Sequence, residues 1–316
     1  MSLLTKGFYL GRKGITIRTL SPSKILFRTL VSLIVLLALM FCLLLFLKNH
    51  FIFYPSKDLT ASPASLGWEF YDLFLEGPDG IKINAWYLPP LDERMPTVLL
   101  FHGNGGNLSE MLGRIMAYYN LGFGVLAMDY HGYGLSQGKP SEEALYLDAV
   151  TSWDFLTKTR GVAPENIIFH GFSLGGGVAS YMAVKYKEYH NPLILDSTFS
   201  SLKDVARTQG LILSTVGPLV LGDAFDTNKR LKEMSPSILL VFHSPQDEIV
   251  SFALGEKNFN DYQGGPKEFV RLKGGHMDFF DNQSTYILAL QTYLLPKELS
   301  LPTEADNLRN LPLNPA

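Results

Sequence analysis

Ser173 stands between two glycines in the motif G-x-S-x-G, residues 171–175, and its surroundings are those of a nucleophile. The apolar run that begins at Ile167 predicts a strand, and the residues after the motif predict a helix. A serine on so tight a turn is strained, and its flanking positions come too close to other backbone for a Cβ, which explains the glycines. The N-terminal N–H groups of the helix point at any oxyanion formed there. The pattern therefore predicts a nucleophile elbow.

A serine nucleophile needs a base and an acid that orients the base, and after such an elbow they follow in the order acid, histidine. His276 lies on a glycine loop after the last predicted strand, and we interpret it as the base. Asp247, in the loop after the predicted strand 237–242, is the favoured acid. The alternatives are His190 and His243 for the base, and Glu248, Asp196 and Asp226 for the acid.

The oxyanion hole is predicted from two backbone N–H groups, that of Leu174 and one from the loop 102–107, most simply that of Asn104. Residues 129–134 (DYHGYG) are expected to shape and brace the site rather than to react. The chain has no Cys/His cluster, no phosphate-binding P-loop and no G-x-G-x-x-G spacing, and its single cysteine is Cys42. No metal and no cofactor is therefore expected.

The elements that must position these residues are short apolar strands that mostly alternate with helices. Such a pattern predicts an α/β fold with a mostly parallel eight-stranded sheet, helices on both faces and an antiparallel edge. The predicted strands are 69–75, 81–88, 97–101, 124–128, the strand from 167 to the elbow, 192–195, 237–242 and 268–272. The predicted helices run from 107 or 109 to about 120, from 141 to about 158, from the elbow through 183, and from about 277 to 294.

Residues 198–235 form an insertion between two strands, which we interpret as a small cap over the site. Its apolar stretch 211–221 lines a substrate pocket in one interpretation and is a buried helix in the other.

The N-terminal part contains an apolar run, residues 30–47, that is just long enough to cross a bilayer as a helix. Six basic residues precede it, so the positive-inside rule places the N-terminus in the cytoplasm and the rest of the chain in the periplasm, lumen or exterior. The alternative is a cleaved signal peptide, which the long basic region and the absence of a small-residue cleavage site disfavour. The predicted organisation is a basic segment 1–29, a transmembrane signal-anchor helix 30–47, a juxtamembrane linker 48–66, a catalytic domain 67–295 and a flexible tail 296–316.

Charge is distributed unevenly along the chain. Residues 1–57 carry eight basic residues and no acidic one, which leaves 19 basic against 30 acidic residues in 58–316, a formal charge of −11. Nucleic acid is not an expected partner, because phosphate binding needs a basic surface.

Taken in order, these motifs resemble those of the α/β-hydrolase superfamily and, within it, the membrane-anchored branch related to the fungal bud-emergence proteins. The matching blocks are 53–56 (FYPS), 79–80 (DG), 85–89 (AWYLP), 102–107 (HGNGGN), 129–134 (DYHGYG), 171–176 (GFSLGG), 247–248 (DE) and 274–278 (GGHMD), and they cover roughly residues 50–295. The resemblance implies the α/β-hydrolase fold and the triad Ser173, Asp247 and His276. The chain has His131 where the branch often has arginine, and Met277 where it often has asparagine.

The sequence thus predicts a membrane-anchored serine hydrolase that cleaves carboxylic ester or thioester bonds of small-molecule or lipid acyl substrates through an acyl-enzyme. A serine peptidase or amidase of prolyl-oligopeptidase type is the alternative enzyme. A catalytically silent scaffold tethered to the membrane is the alternative from another class, and the complete serine, aspartate and histidine set disfavours it.

Overall fold

The structure, a computed structural model, describes residues 6–11, 14–19 and 21–296 of the 316. The chain divides into two compact units, residues 1–51 and residues 52–316. Apart from residue 296, the predicted flexible tail 296–316 lies outside the described residues.

The N-terminal unit consists of a hairpin and a long helix. The hairpin pairs β1 (Lys6–Gly11) with β2 (Gly14–Thr19), and the helix is α1 (Pro22–Ile52). The helix α1 contains the predicted span 30–47 and continues beyond it at both ends. Within the described ranges it is the single helix long and apolar enough to cross a bilayer, a property that signal sequences share.

The second unit is built on an eight-stranded sheet, as predicted. Its strands are β4 (Tyr71–Glu76), β5 (Lys82–Leu88), β6 (Thr97–Phe101), β8 (Gly124–Met128), β9 (Ile167–Phe172), β10 (Leu193–Asp196), β11 (Leu239–His243) and β12 (Lys267–Arg271). Their order across the sheet is β12-β11-β10-β9-β6-β8-β5-β4; β5 pairs antiparallel with both β8 and β4, and all other neighbouring strands pair in parallel. The elbow strand β9 therefore lies near the middle of the sheet.

Helices cover both faces of the sheet. Side chains of β6 alternate between two apolar clusters: Leu99 and Phe101 join one, and Val98 and Leu100 the other. The helices are α2 (Leu112–Tyr119), α3 (Glu142–Asp154), α4 (Gly175–Lys185), α5 (Leu202–Thr208), α6 (Leu211–Leu221), α7 (Thr227–Leu231), α8 (Phe252–Asp261) and α9 (Gln283–Leu294). Residues of α3, α4 and α8 join the first cluster, and those of α2 and α9 join the second. This two-sided burial explains why the central strands read as continuous apolar runs.

The second unit also contains a two-stranded sheet that was not predicted. The strand β3 (Tyr54–Pro55), which follows α1, pairs in parallel with β7 (Gly105–Gly106) of the glycine loop.

Several helices differ from the sequence prediction, among them α5 and α7, which lie in the insertion 198–235 and were not predicted. The last helix begins at Gln283 rather than near 277, because the Asn282 side chain bonds the backbone of Lys273 and Asp278 and folds the intervening residues into a loop. The helix α8, between β11 and β12, was not predicted. The stretch 211–221 is helical, but only Gly217 is buried, so the buried-helix interpretation was wrong.

Candidate active site

The motif around Ser173 forms the predicted elbow between β9 and α4. Ser173 has φ +52°, a left-handed conformation that costs a non-glycine residue energy, and its side chain is 6% exposed. A Cβ on Gly171 would lie 2.1 Å from the carbonyl oxygen of Gly175, and one on Gly175 would lie 2.2 Å from that of Phe101. No larger residue fits at either position, so the packing of the turn accounts for both glycines of the motif.

The predicted acid and base contact each other. His276 Nδ1 donates to Asp247 Oδ2 at 2.8 Å, and both side chains lie in loops that follow the adjacent strands β11 and β12. Burial alone raises the pKa of the Asp247 carboxyl, but hydrogen bonds from His243 and His276 outweigh it and hold that pKa below its usual range. Asp247 is therefore a carboxylate, and because its Oδ2 takes up Nδ1 of His276, Nε2 is the ring nitrogen that a catalytic base would use.

The alternative acids have other partners. The carboxylate of Glu248 accepts from the backbone N–H of His276 at 3.1 Å and so holds the loop rather than the imidazole. Asp196 is buried against Arg114, with Nε and Oδ2 2.6 Å apart. Asp226 accepts from the N–H of Lys229 at 2.9 Å and caps α7.

The two alternative histidines differ in their surroundings. His190 is exposed beyond the end of α4, where its Nδ1 bonds the carbonyl oxygen of Ser235. His243 is buried at the end of β11, and its Nε2 lies 2.9 Å from the carbonyl oxygen of Val250 and 3.3 Å from Asp247 Oδ2. The sequence had offered His243 only as an alternative base, not as a partner of the acid. The sequence did contain an indication of this contact: His243 ends the strand that precedes the loop of Asp247 and stands four residues before that aspartate.

The residue before Ser173, Phe172, packs against the candidate base. The Phe172 ring lies 5.0 Å from the His276 ring, centroid to centroid, and its other neighbour is the Arg114 guanidinium, 3.7 Å from its centroid. Among the hydrogen bonds of the described residues, none joins Ser173 Oγ to His276. In unliganded enzymes this bond is commonly long, so the serine–histidine step remains a prediction.

The glycine loop 102–107 packs against the nucleophile. A Cβ on Gly103 would lie 3.4 Å from the Cβ of Ser173, so this loop faces the side of the elbow where an oxyanion would form. Leu174 directly precedes α4, so its N–H is among the helix N-terminal groups that have no acceptor inside the helix. The predicted donors, the N–H groups of Leu174 and Asn104, thus come from two segments that meet at Ser173.

Several residues hold the position of Asn104. Its carbonyl oxygen accepts from the N–H of Tyr54 at 2.9 Å and from the hydroxyl of Tyr133 at 2.8 Å, and its Nδ2 donates to the carbonyl oxygen of Ile52 at 3.1 Å. The residues that directly follow α1 are therefore part of the wall behind the glycine loop. The FYPS block, residues 53–56, marked these residues in the sequence, but nothing in it indicated that they contact the glycine loop.

The DYHGYG segment braces the same loop, as expected from its sequence. Asp129 accepts from the N–H of Leu108 at 2.9 Å, and Tyr130 donates to the carbonyl oxygen of His102 at 3.1 Å. Burial raises the pKa of Asp129 to about 7, although the bond from Leu108 opposes the shift. Within residues 21–296 and the two N-terminal strands, no group of three or more His, Cys, Asp or Glu side chains is arranged to hold a metal ion.

Comparison with known proteins identifies the family. The sequence profile described as "alpha/beta hydrolase fold" matches residues 96–243. The protein Rv2307c of Mycobacterium tuberculosis is 32% identical over 235 residues, which cover 73% of this chain and 81% of that protein. WAV2 of Arabidopsis thaliana, an α/β-hydrolase domain-containing protein, is 33% identical over 48% of this chain, and the match spans half of its own length. The protein bem46 of Schizosaccharomyces pombe is 27% identical over 62% of this chain and 66% of its own length.

Solved structures share the fold. The esterase Pf2001 of Pyrococcus furiosus superposes with a TM-score of 0.62 at 18% identity, over 77% of this chain and 98% of that one. With the eight-stranded sheet and the elbow, these likenesses show that the chain belongs to the α/β-hydrolase family. Within that family it is a relative of bem46, as its sequence motifs predicted, and the likenesses support a hydrolase.

Proposed function

We propose that this chain is a membrane-anchored serine hydrolase that cleaves carboxylic ester or thioester bonds of acyl substrates. The single observation that carries the proposal is the Asp247–His276 hydrogen bond in loops beside a serine held at positive φ on the elbow. A turn with a purely structural role could carry glycine at this position and avoid the strain of a serine at positive φ. The strained serine instead follows Phe172, whose ring packs against the oriented His276 imidazole.

The reaction begins with proton transfer to His276. Its Nε2 takes the hydroxyl proton of Ser173 while Oγ attacks the carbonyl carbon, and the carbonyl oxygen becomes an oxyanion that the N–H groups of Leu174 and Asn104 bind. The imidazolium, stabilised by Asp247, then gives its proton to the leaving alcohol or thiol as the bond from carbon breaks. Water repeats the sequence on the acyl-enzyme: His276 takes its proton and the hydroxyl oxygen bonds to carbon. The bond between carbon and Oγ then breaks, His276 returns the proton to Oγ of Ser173, and the carboxylic acid leaves.

The helix α1 supplies the anchor in this proposal. The N-terminus lies in the cytoplasm and residues 53–296 lie on the other side of the membrane, because six basic residues precede the apolar stretch and one, Lys48, follows it. A lipid or other long-chain acyl substrate fits an enzyme held at a bilayer. Hydrolysis rates measured across p-nitrophenyl esters of increasing chain length test this preference, and a preference for the shortest ester contradicts it.

The catalytic proposal is tested by labelling the detergent-solubilised full chain with a fluorophosphonate. We expect the wild type to be labelled and Ser173→Ala and His276→Ala to lose the label, because only a serine activated by its base attacks the phosphorus. Ser284→Ala, which removes an exposed serine of α9, is the matched control and keeps the label.

A folded wild-type chain without label would eliminate the mechanism and favour a catalytically silent scaffold. Parallel assays with an ester and the corresponding amide separate the esterase from a peptidase or amidase, since we expect cleavage of the ester alone.

A further inference from the structure

The helix α6 is apolar on every side and yet lies on the surface of its unit. No charged residue occurs between Arg207 and Asp223, and the helix itself contains Leu, Ile, Val, Gly, Pro and two hydroxyl residues. Leu211 is 84% exposed, Ile212 79% and Leu219 69%. A helix that is hydrophobic all round is normally buried in a protein core or in a membrane, so something other than this domain covers α6.

One narrow side of α6 attaches it to the domain. Gly217, its single buried residue, lies against α5, where a Cβ on this glycine would come within 2.7 Å of the Cβ of Ala206. The hydroxyl groups of Ser214 and Thr215 both bond the carbonyl oxygen of Leu211, so the two polar side chains of the helix are satisfied internally. The remaining surface of α6 therefore presents hydrocarbon with no unsatisfied side-chain polar group.

Other exposed apolar side chains lie at the edge of the sheet from which this insertion leaves. The insertion follows the carboxyl end of β10, the edge at which Ser173 also lies. At the carboxyl ends of β11 and β12, Ile249 is 56% exposed two residues after Asp247, and Met277 is 49% exposed beside His276. The insertion that carries α6 and the two loops of the candidate acid and base thus leave the same edge of the sheet, and each exposes apolar side chains.

We propose that α6 inserts into the interfacial layer of a lipid bilayer, the one that α1 crosses, and that Ile212 and Leu219 lie among the acyl chains. The inference rests on the membrane-anchoring part of the proposed function. A bilayer is favoured over a protein partner because the same chain carries a helix long and apolar enough to cross a membrane, which ends one residue before Phe53 of the catalytic unit. A charge-free helix of eleven residues is too short to span a bilayer and long enough to lie in its surface.

This placement narrows the substrate class. The insertion with α6 and the loops of Asp247 and His276 leave the same edge of the sheet, so a bilayer that covers α6 would lie on the side of the domain where the elbow is. Amphiphilic esters whose acyl chains reside in the membrane are the substrates that this arrangement fits.

The test uses the full chain in phosphatidylcholine vesicles that contain some phosphatidylglycerol, with a polarity-sensitive nitrobenzoxadiazole probe on one cysteine. Three proteins are compared: the wild type labelled at its single cysteine Cys42 in α1, and two Cys42→Ser variants with Ile212→Cys or Leu91→Cys. Leu91 is 68% exposed and pairs with Gly122, just before β8, at the edge of the sheet away from the elbow. It is the matched apolar control.

When nitroxide-labelled lipids replace part of the phosphatidylcholine, we expect the Ile212 probe to lose several-fold more fluorescence than the Leu91 probe. We also expect a blue-shifted emission at Ile212, and Leu219→Glu in the same protein should reduce both effects. Equal quenching at Ile212 and Leu91 overturns the proposal. A blue-shifted but unquenched Ile212 probe also overturns it, because α6 is then covered by protein, such as a second copy of this chain.

The Cys42 probe separates this proposal from the anchoring on which it rests. Quenching at Cys42 without quenching at Ile212 keeps the anchor and overturns the docking of α6. Quenching at Ile212 without quenching at Cys42 supports the docking and overturns the anchor. Absence of quenching at both positions overturns both.

Discussion

Asp247 accepts three hydrogen bonds, and a second histidine, His243, lies against the same carboxylate. Its Oδ1 accepts from the N–H groups of Ile249 and Val250 at 2.9 and 2.7 Å, and its Oδ2 faces His276 Nδ1 at 2.8 Å and His243 Nε2 at 3.3 Å. Both oxygens are thus fixed, and the direction of Oδ2 determines the orientation of the His276 imidazole. We infer that His243 is a positioning residue, since it acts on the imidazole only through Asp247.

The change His243→Phe tests this role because it keeps a flat ring and removes the N–H. We expect kcat for a short-chain p-nitrophenyl ester to fall about ten- to a hundredfold with KM nearly unchanged, because a hydrogen bond to a charged group is worth about 1.5–3 kcal/mol. Steady-state kinetics measures the split between kcat and KM.

The control for His243 is His190→Phe, at a histidine that is exposed and remote from the acid loop, and it should retain wild-type kinetics. If His243→Phe lowers the melting temperature and leaves kcat unchanged, His243 only packs and the positioning role is excluded.

At the scale of elements, His131 ties three segments together. Its Nδ1 lies 2.5 Å from Asp148 of α3, and its Nε2 lies 3.0 Å from Asp79 in the turn between β4 and β5. Both nitrogens can donate only when the imidazole is protonated. Burial lowers the pKa of His131, but the bonds to Asp148 and Asp79 outweigh it and raise that pKa above its ordinary value. The clamp therefore depends on a charge that arginine, common at this position in the branch, would carry permanently.

The stability of this clamp should depend on pH. A raised folded-state pKa means that the contribution of His131 is fully present below its unfolded pKa of about 6.5 and is lost as the pH rises through the higher folded value. We expect the melting temperature of the wild type, relative to that of His131→Arg, to fall as the pH rises above about 6.5. Thermal unfolding in detergent at a series of pH values measures the difference, and parallel curves for the two proteins would contradict the clamp.

At the scale of the whole molecule, charge and hydrophobicity divide the chain into an N-terminal part without acidic residues and an acidic remainder. All thirty acidic residues follow residue 57, after the helix that could cross a membrane. By the positive-inside rule, the basic segment before a membrane-spanning helix stays in the cytoplasm, so this charge asymmetry predicts a cytoplasmic N-terminus. The proposed arrangement places the candidate active site on the opposite side.

Cysteine accessibility in intact cells measures that orientation. In a Cys42→Ser chain, we expect Leu91→Cys to react with a membrane-impermeant maleimide in intact cells, and Ser21→Cys to react only after permeabilisation. Both positions are exposed in the structure, so a difference between them reports the side of the membrane. The reverse pattern would mean that the catalytic unit is cytoplasmic.

The positions of the strands were predictable because local chemistry specifies them. The strands β6 and β8 have the predicted bounds, since a strand buried on both faces must be an uninterrupted apolar run. The helix α8 was missed because Gly255 in its interior lowers helix propensity. Only the fold explains this glycine: a Cβ there would lie 2.2 Å from Nδ1 of His243.

The sequence by itself determined the elbow, the order of the candidate triad and the alternation of strands and helices, because each follows from residue type and spacing along a short segment. The tertiary structure alone decided which carboxylate faces His276, that His243 reaches the same acid, and that Tyr54 backs the glycine loop. It also decided that α6 is exposed. These contacts join residues that lie on different strands or far apart in the chain, so they depend on the order of strands in the sheet and on the path of the loops.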